Sequence, residues 1–359
     1  MLQKNDTFAE LLKLCVKKKD LSEAIRLHDD IFKKGLLQKS PYLASILITL
    51  YSKCGVLAKA RQVFEELSHQ NVVCWNALIA GYAQHRLLRE ALHYFERMRV
   101  KGITPSAVTF ICILKACGST GAIDKGKEIH DMIIDRGLLE KDIMLGTALV
   151  DMYAKCGVID KAHQILEDLS ASDVVAWSAL IAGYAQQGKC HEALNCFESM
   201  QHEGLTPNEI TFICILKACG KVGAIEEGKK IHEHILRRSL LEKDIALGNA
   251  LVDMYVKCGV LIKAQEVLEE LHARNVISWS TVIVGYAQQG RCKEAMECFE
   301  RMQREGVSPD VVTFICILKA CGATRDIDKG KQIHYEIVNK GLLETDTVLG
   351  TALVDMYAK

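Results

Sequence analysis

Residues 72–106 read VVCWNALIAGYAQHRLLREALHYFERMRVKGITPS, and closely similar stretches recur at residues 174–208 and 276–310. The offset between successive copies is 102 residues, and the three tryptophans, Trp75, Trp177 and Trp279, follow it. A long fixed period of this kind is typical of a solenoid that is built from copies of one supersecondary unit. In such a chain each unit contacts its neighbours, and function lies on an extended surface.

Each 102-residue block divides into three units of different length. The 35-residue unit is followed by a 36-residue unit at 107–142 and by a 31-residue unit at 143–173. We expect one continuous solenoid over residues 1–359. The predicted units are 5–40, 41–71, 72–106, 107–142, 143–173, 174–208, 209–244, 245–275, 276–310 and 311–346, with a partial 31-residue unit at 347–359.

Every unit is predicted to form two helices. In the 35-residue unit the first helix is expected near residues 72–84 and the second near 88–99, where Leu88, Ala91 and Phe95 follow a helical spacing. The 35-residue units close on a proline, which we expect to stop the second helix. No alternation typical of strands persists. The sequence therefore predicts an all-α fold, a right-handed superhelical solenoid of helix-turn-helix repeats.

Charge and cysteine content narrow the function. Lysine plus arginine balance aspartate plus glutamate at 45 each, so a nonspecific polyanion binder is disfavoured, since its affinity would come from counterion release. The cysteines recur with the 102-residue period, as at Cys117, Cys219 and Cys321, and no CxxC occurs. We interpret them as buried structural thiols in a reducing compartment, with no metal and no cofactor. No apolar run is long enough to span a membrane.

The fixed alternation of 35-, 36- and 31-residue units resembles the PLS class of pentatricopeptide repeat (PPR) proteins of plant organelles, whose P, L and S motifs have these lengths. The resemblance covers the repeat tract only, without the E and DYW domains that often follow it. It implies sequence-specific binding of single-stranded RNA, as the recognition tract of an organellar RNA-editing (C-to-U) or RNA-processing factor. It also implies a mitochondrial or chloroplast location, although the repeats begin by about residue 5 and leave no visible transit peptide.

One helix face is predicted to carry the function. Positions 2, 5, 9 and 13 of each unit's first helix fall on the same side at 100° per residue. Position 2 of the 35-residue units is predicted to wedge against bases, and it holds Val73, Val175 and Ile277. Lysines at position 9 of the 36-residue units and position 13 of the 31-residue units are predicted to contact phosphates; they are Lys13, Lys53, Lys115, Lys155, Lys217, Lys257 and Lys319. The alternative is that these lysines are solvated helix surface.

The resemblance also implies that one base is read by position 5 and the last residue of each P or S unit. The pairs are Ser45 with Asn71, Asn76 with Ser106, Thr147 with Asp173, Ser178 with Asn208, Asn249 with Asn275, and Ser280 with Asp310, and Thr351 is position 5 of the partial unit. The family's code then suggests 5′-n-A-C-n-G-A-n-Y-G-n-3′. The 36-residue units hold alkyl groups at position 5, as at Ile111, and are expected to be spacers.

Two other functions were weighed. A cytidine deaminase needs an HxE and a CxxC around zinc; His334-Tyr335-Glu336 matches the first, but without a CxxC we expect no enzyme activity in this chain. A helical-repeat scaffold for proteins or peptides is the second alternative, and it gives no reason for polar residues at position 5 in two unit types. The expected partners are single-stranded RNA and, by resemblance, organellar editing cofactors or a DYW deaminase in cis or trans. No membrane and no small-molecule substrate are expected.

Overall fold

The computed structural model describes residues 2–139, 142–169, 173–242, 244–344 and 346–359, and these ranges contain helices and no strand. No helix in them is both long and apolar enough to cross a bilayer. The helices are α1 (Leu2–Lys18), α2 (Leu21–Lys33), α3 (Pro41–Lys53), α4 (Leu57–Glu65), α5 (Val72–Gln84), α6 (Leu88–Val100), α7 (Ala107–Thr120), α8 (Ile123–Asp135), α9 (Ile143–Lys155), α10 (Ile159–Asp168), α11 (Val174–Gln186), α12 (Cys190–His202), α13 (Glu209–Val222), α14 (Ile225–Arg237), α15 (Ile245–Lys257), α16 (Leu261–Glu270), α17 (Val276–Gln288), α18 (Cys292–Arg304), α19 (Val311–Thr324), α20 (Ile327–Asn339) and α21 (Thr347–Ala358).

The first helices are started by side-chain caps. From α3 onward, every odd-numbered helix begins at the first residue of a predicted unit, and the residue before it accepts a hydrogen bond from a backbone N–H of the first turn. Such a cap satisfies one of the donors that a helix N-terminus leaves unpaired. The ten capping residues are Ser40, Asn71, Ser106, Asp142, Asp173, Asn208, Asp244, Asn275, Asp310 and Asp346.

The prediction that proline stops the second helix of the 35-residue unit is wrong. Helix α6 ends at Val100, and Gly102 turns the chain with a φ of 73°. A residue with a positive φ after the helix end favours glycine, because it has no Cβ to clash. Pro105 lies further on, buried, directly before the cap of α7. Glycine therefore ends the helix, and proline stiffens the approach to the next one.

The chain divides into two compact units, one up to Gly183 and one from Tyr184 onward. In the first unit the odd-numbered helices α1 to α9 pack side by side, and each even-numbered helix between them packs against the odd-numbered helices before and after it. The second unit repeats this arrangement from α12 to α21. Each unit is thus a stack of helix pairs in two layers. The predicted continuity of one solenoid over the whole chain stays a prediction.

Aromatic and small apolar side chains fill the space between the two layers. Trp75 is fully buried on α5, and its ring meets that of Phe64 edge to face with centroids 4.7 Å apart. In the second unit the rings of Phe299 and Phe314 join α18 to α19 at 6.3 Å. Burial of such side chains supplies most of the stability of a repeat interface.

Eight of the fifteen cysteines are buried in this core and the other seven are partly exposed, so the prediction of buried thiols holds for about half of them. Cys117 and Cys219 are inaccessible to solvent, and burial raises the pKa of each thiol to about 12. Their thiols are therefore protonated at neutral pH, which removes the thiolate that reactivity and metal binding require. All fifteen cysteines are free.

A histidine–tyrosine pair joins each 36-residue unit to the 31-residue unit that follows it. The histidine Nδ1 and the tyrosine hydroxyl lie 2.9–3.0 Å apart in all four copies, which are His28–Tyr51, His130–Tyr153, His232–Tyr255 and His334–Tyr357. The HxE match at His334 therefore falls on a histidine that has a structural partner in every copy. Of these residues only His334 was singled out from the sequence, and its partner Tyr357 was not.

Protonation of His232 should destabilise the fold. Burial, reinforced by Lys263 and opposed by Glu233, lowers the pKa of His232 to about 4. A lowered folded-state pKa means that the stabilising contribution is complete above the unfolded value of about 6.5 and is lost as the pH falls towards 4. We expect His232 to remove roughly 2–3 kcal/mol from the free energy of unfolding between pH 7 and pH 4.

Urea unfolding followed by circular dichroism at several pH values measures this effect. His232→Phe should flatten the pH dependence, whereas His272→Asn, at an exposed histidine, should leave it as in the parent protein. An unchanged pH dependence in His232→Phe would contradict the assignment.

Candidate functional site

The predicted base-reading residues at position 5 lie on the first helices, and four of the seven are buried. Ser45, Thr147, Ser178 and Ser280 are between 5% and 9% exposed. A base can reach these positions only by inserting between neighbouring first helices.

The short hydroxyl side chains at position 5 bond to their own helix. Ser45 Oγ donates to the Tyr42 carbonyl at 2.8 Å, and Thr147 Oγ1 donates to the Ile143 carbonyl at 3.1 Å. Ser178, Ser280 and Thr351 make the equivalent bond to a carbonyl three or four residues earlier. Each hydroxyl proton is already donated to a backbone carbonyl, so the oxygen can act only as an acceptor towards a bound ligand.

The longer asparagine side chains at position 5 reach the last residue of their unit. Asn76 Nδ2 donates to Ser106 Oγ at 3.1 Å, and Asn249 Nδ2 lies 3.5 Å from Asn275 Oδ1. The Asn249 Oδ1 atom is buried and has no hydrogen-bond partner. These contacts bring together, within each compact unit, two residues that are 26 or 30 positions apart in sequence.

All six predicted last residues are helix caps. Asn71, Ser106, Asp173, Asn208, Asn275 and Asp310 each use one side-chain oxygen to accept the first-turn N–H of the next helix. An asparagine or aspartate that caps through Oδ1 keeps its second polar atom available. That atom is a donor in asparagine and an acceptor in aspartate, which is the difference that a base edge can sense. Ser178 and Asn208 fall in different compact units, so their pairing stays a prediction.

A cleft of about 490 Å³ opens between α3, α5 and α7 in the first unit. Its lining includes Ser45, Asn76 and Lys13 as well as two valines at position 2, Val73 and Val108. The valines are 49% and 54% exposed. The cleft therefore combines polar tips, apolar walls and one ammonium group, and it has room for a planar ring.

Position 2 of the 36-residue units was missed in the sequence analysis. Val108, Ile210 and Val312 are 54%, 62% and 53% exposed, as much as the predicted wedges Val73, Val175 and Ile277 at 49%, 57% and 56%. The signal was present, because an apolar residue recurs at position 2 of the 36-residue units with the same period as in the 35-residue units.

The predicted phosphate-contacting lysines differ in their surroundings. Lys155 and Lys257 lie 2.7 Å from the carboxylates of Asp151 and Asp253, one helical turn earlier on the same helix. Lys115, Lys217 and Lys319 are exposed on the 36-residue units and have no carboxylate within 4 Å in the described part of the chain. Four residues before Lys53 stands Thr49, at the position where the later copies have an aspartate. The Nζ atom of Lys13 lies over the Tyr42 ring, 5.5 Å from the ring centroid.

A second cleft of about 340 Å³ lies beside the first and is lined by Lys115, Lys155 and Arg86 together with Asp151. Three cations against one carboxylate give it a net positive lining. An anion such as a phosphate suits this cleft, whereas a ring with polar edges suits the first one. Within the described residues no group of histidine, cysteine and acidic side chains is placed to hold a metal.

Comparison with known proteins places the chain in a family. It matches the PPR repeat family over residues 70–119, 172–221 and 274–323, and the PPR repeat over residues 7–36, 43–72, 147–174 and 249–276. These matches together cover more than half of the sequence. The chain belongs to the pentatricopeptide repeat family.

Curated relatives come from Arabidopsis thaliana. A mitochondrial pentatricopeptide repeat-containing protein is 34% identical over 98% of this chain and 50% of its own length. A chloroplastic one is 33% identical over 98% of this chain and 56% of its own length. The chain thus spans about half the length of the curated relatives that it matches.

A solved structure shares the fold. The pentatricopeptide repeat protein PPR10, crystallised in complex with an 18-nt psaJ RNA element, superposes with a TM-score of 0.67 over 86% of this chain and 46% of its own, at 20% identity. This likeness confirms the predicted all-α helical-repeat solenoid.

Because the last residues cap helices, their substitution should cost stability before it affects any ligand. We expect Asp310→Ala to lower the free energy of unfolding by about 1 kcal/mol, the usual cost of losing a cap. Asp310→Asn keeps the Oδ1 acceptor for Thr313 and should stay within about 0.5 kcal/mol of the parent. Urea midpoints of the two variants measure this difference, and equal midpoints would show that the cap contributes nothing.

Proposed function

We propose that this chain binds single-stranded RNA sequence-specifically, with one base read by each 35- or 31-residue unit. We further propose that it is a PLS-class recognition tract of an organellar RNA-editing or RNA-processing factor. Membership of the pentatricopeptide repeat family and the mitochondrial and chloroplastic names of its relatives support the organellar assignment. The RNA-bound PPR10 structure supports the ligand class.

The observation that carries the proposal is the meeting of Asn76 and Ser106 beside the first cleft. Asn76 Nδ2 donates to Ser106 Oγ at 3.1 Å, and Asn76 itself lines a cleft with exposed valine walls. A flat base between the valines would place its polar edge against the asparagine amide. Apolar contact with base faces and directional hydrogen bonds at base edges are the two elements that single-strand recognition requires.

The adjacent cationic cleft supplies the third element. A strand whose base enters the first cleft carries its phosphates past Lys115 and Lys155. Because the whole chain has no net charge, these local cations rather than a general positive field would attract the backbone. Base contacts then account for a larger share of the affinity than in a strongly basic protein, which favours specificity.

The pair Thr147 and Asp173 tests the reading of bases. In the family's code it selects G, and Thr147→Asn together with Asp173→Asn should move the preference of that unit from G towards C. Asparagine already occupies position 5 at Asn76 and Asn249, and an asparagine in place of Asp173 would keep the Oδ1 cap, so the double variant should fold. A mismatched base edge costs about 1–3 kcal/mol, or roughly fivefold to 150-fold in affinity.

Equilibrium binding to RNAs that differ at one base measures the shift. Ile111→Ala is the matched control, because its alkyl side chain makes no edge contact and its loss should leave the base preference unaltered. If the double variant still prefers G as strongly as the parent protein does, the assignment of these residues to base reading is wrong.

The lysines test the path of the phosphates. Lys115→Ala should weaken binding to all RNAs by a similar factor and should reduce the slope of log K against log salt by about 0.7, the value for one phosphate of a single strand. Lys155→Ala should act in the same direction but less strongly, because Asp151 already neutralises part of its charge at 2.7 Å.

Asp151→Asn completes the comparison. Removal of a carboxylate from the cationic cleft should strengthen binding to all RNAs and leave the order of base preferences intact. Salt titrations by fluorescence anisotropy measure the affinities and slopes. A change in base preference without a change in slope would place these residues at the bases instead of the phosphates.

A further inference from the structure

We infer that the threonine at position 3 of each later 36-residue unit is a positioning residue for the base-reading side chains of the unit before it. These threonines are Thr109, Thr211 and Thr313, and all three are fully buried. Their hydroxyls fix which polar atoms of the preceding unit remain available to the RNA. The inference rests on the function proposed above.

The geometry is simplest where the last residue is Asn208 or Asp310. Asn208 Oδ1 accepts from both the backbone N and the Oγ1 of Thr211, each at 2.9 Å. Asp310 Oδ1 accepts from the same two atoms of Thr313, at 2.8 Å and 2.6 Å. A backbone N–H can only donate, so the atom that faces it must be oxygen. The second donor holds that oxygen in place, and Asn208 Nδ2 or Asp310 Oδ2 is left to meet a base.

Thr109 contacts both members of its pair. Its Oγ1 accepts from the Ser106 backbone N at 3.0 Å and donates to Asn76 Oδ1 at 2.6 Å. Asn76 Nδ2 in turn donates to Ser106 Oγ at 3.1 Å. The three side chains hold one another, and the Asn76 amide keeps one N–H for an incoming acceptor. Thr109 is inaccessible to solvent, so water cannot replace its hydroxyl.

No threonine stands at position 3 of the helix that follows a 31-residue unit. The residue there is Cys74, Ala176 or Ser278. Ala176 has no side-chain donor, and the Cys74 thiol faces the Pro41 carbonyl. The Ser278 hydroxyl donates to the backbone carbonyl of Asn275 instead of to its side chain. Base-reading residues at the ends of 31-residue units therefore receive no side-chain hydrogen bond from position 3 of the next helix, and the 35-residue units should discriminate more sharply.

Thr109→Val tests the inference, because valine keeps the shape of threonine and removes the hydroxyl. The probes are RNAs in which only the base read by residues 72–106 is changed. We expect the preference for C at that base to fall about fivefold to tenfold, the scale of one directional base contact. The preference at the unit that ends in Asp310 should persist in the same protein. Thr109→Ser should restore the preference for C.

The matched control is Thr120→Val in the same helix, because the Thr120 hydroxyl bonds only to carbonyls of its own helix and serves no base-reading residue. A second, independent test is Thr313→Val, which should weaken the preference for G at the unit that ends in Asp310. Its control is Thr324→Val, again in the same helix. Thermal unfolding of each variant shows whether the fold is retained.

The outcomes separate the two ideas. If the parent protein discriminates and both valine variants at position 3 keep the preference within about twofold, the positioning role is overturned and the RNA-binding proposal stands. A uniform loss of affinity for every base, with unchanged ratios, assigns the threonines to stability alone and also overturns the role. If the parent protein binds all RNAs of the panel equally, the proposed function itself fails.

Discussion

The hydrogen bond from the start of each first helix to the residue before it sets the register of the repeat. A helix begins with N–H groups that have no partner inside it, and serine, aspartate and asparagine are the residues that satisfy them best. All ten first helices from α3 onward use such a residue, whatever the length of the preceding unit. Folding therefore restricts the last residue of every unit to a small set of polar side chains. Within that set, asparagine and aspartate cap through the same oxygen and differ in the atom that remains.

Position 5 obeys a second constraint, which is space. It lies between adjacent first helices, where Ser45 and Thr147 are 6% and 5% exposed, so the length of the side chain decides which partner it reaches. A short hydroxyl side chain there donates its hydrogen bond to a backbone carbonyl of its own helix. The longer asparagine instead reaches across to the last residue, as Asn76 does. The chemical difference between the unit types thus follows from side-chain length as much as from polarity.

The sequence predicted the elements of the fold better than their contacts. Helix α5 spans Val72–Gln84 as expected, because apolar spacing and the capping residue are local signals. The members of the base-reading pairs are 26 or 30 residues apart, and His232 and Tyr255 are 23 residues apart. No local sequence pattern links residues at such separations, so these contacts could be identified only from the packing of the helices. The pairing of Lys155 with Asp151 could have been predicted, since residues four apart share a helix face. The prediction for Pro105 failed because Gly102 ends the helix earlier.

The 36-residue units are more than spacers in this arrangement. Their alkyl side chain at position 5 cannot hydrogen-bond to a base edge, and for that reason they were predicted to be spacers. However, the first cleft takes one wall from Val108, and the cationic cleft takes Lys115 from the same helix. Thr109, also on that helix, bonds to both polar residues of the preceding unit. Helix α7 thus contributes an apolar, a polar and a cationic side chain to the surroundings of the proposed base site. In the function proposed above, the binding unit is therefore a 35-residue repeat together with the first helix of the 36-residue repeat that follows it.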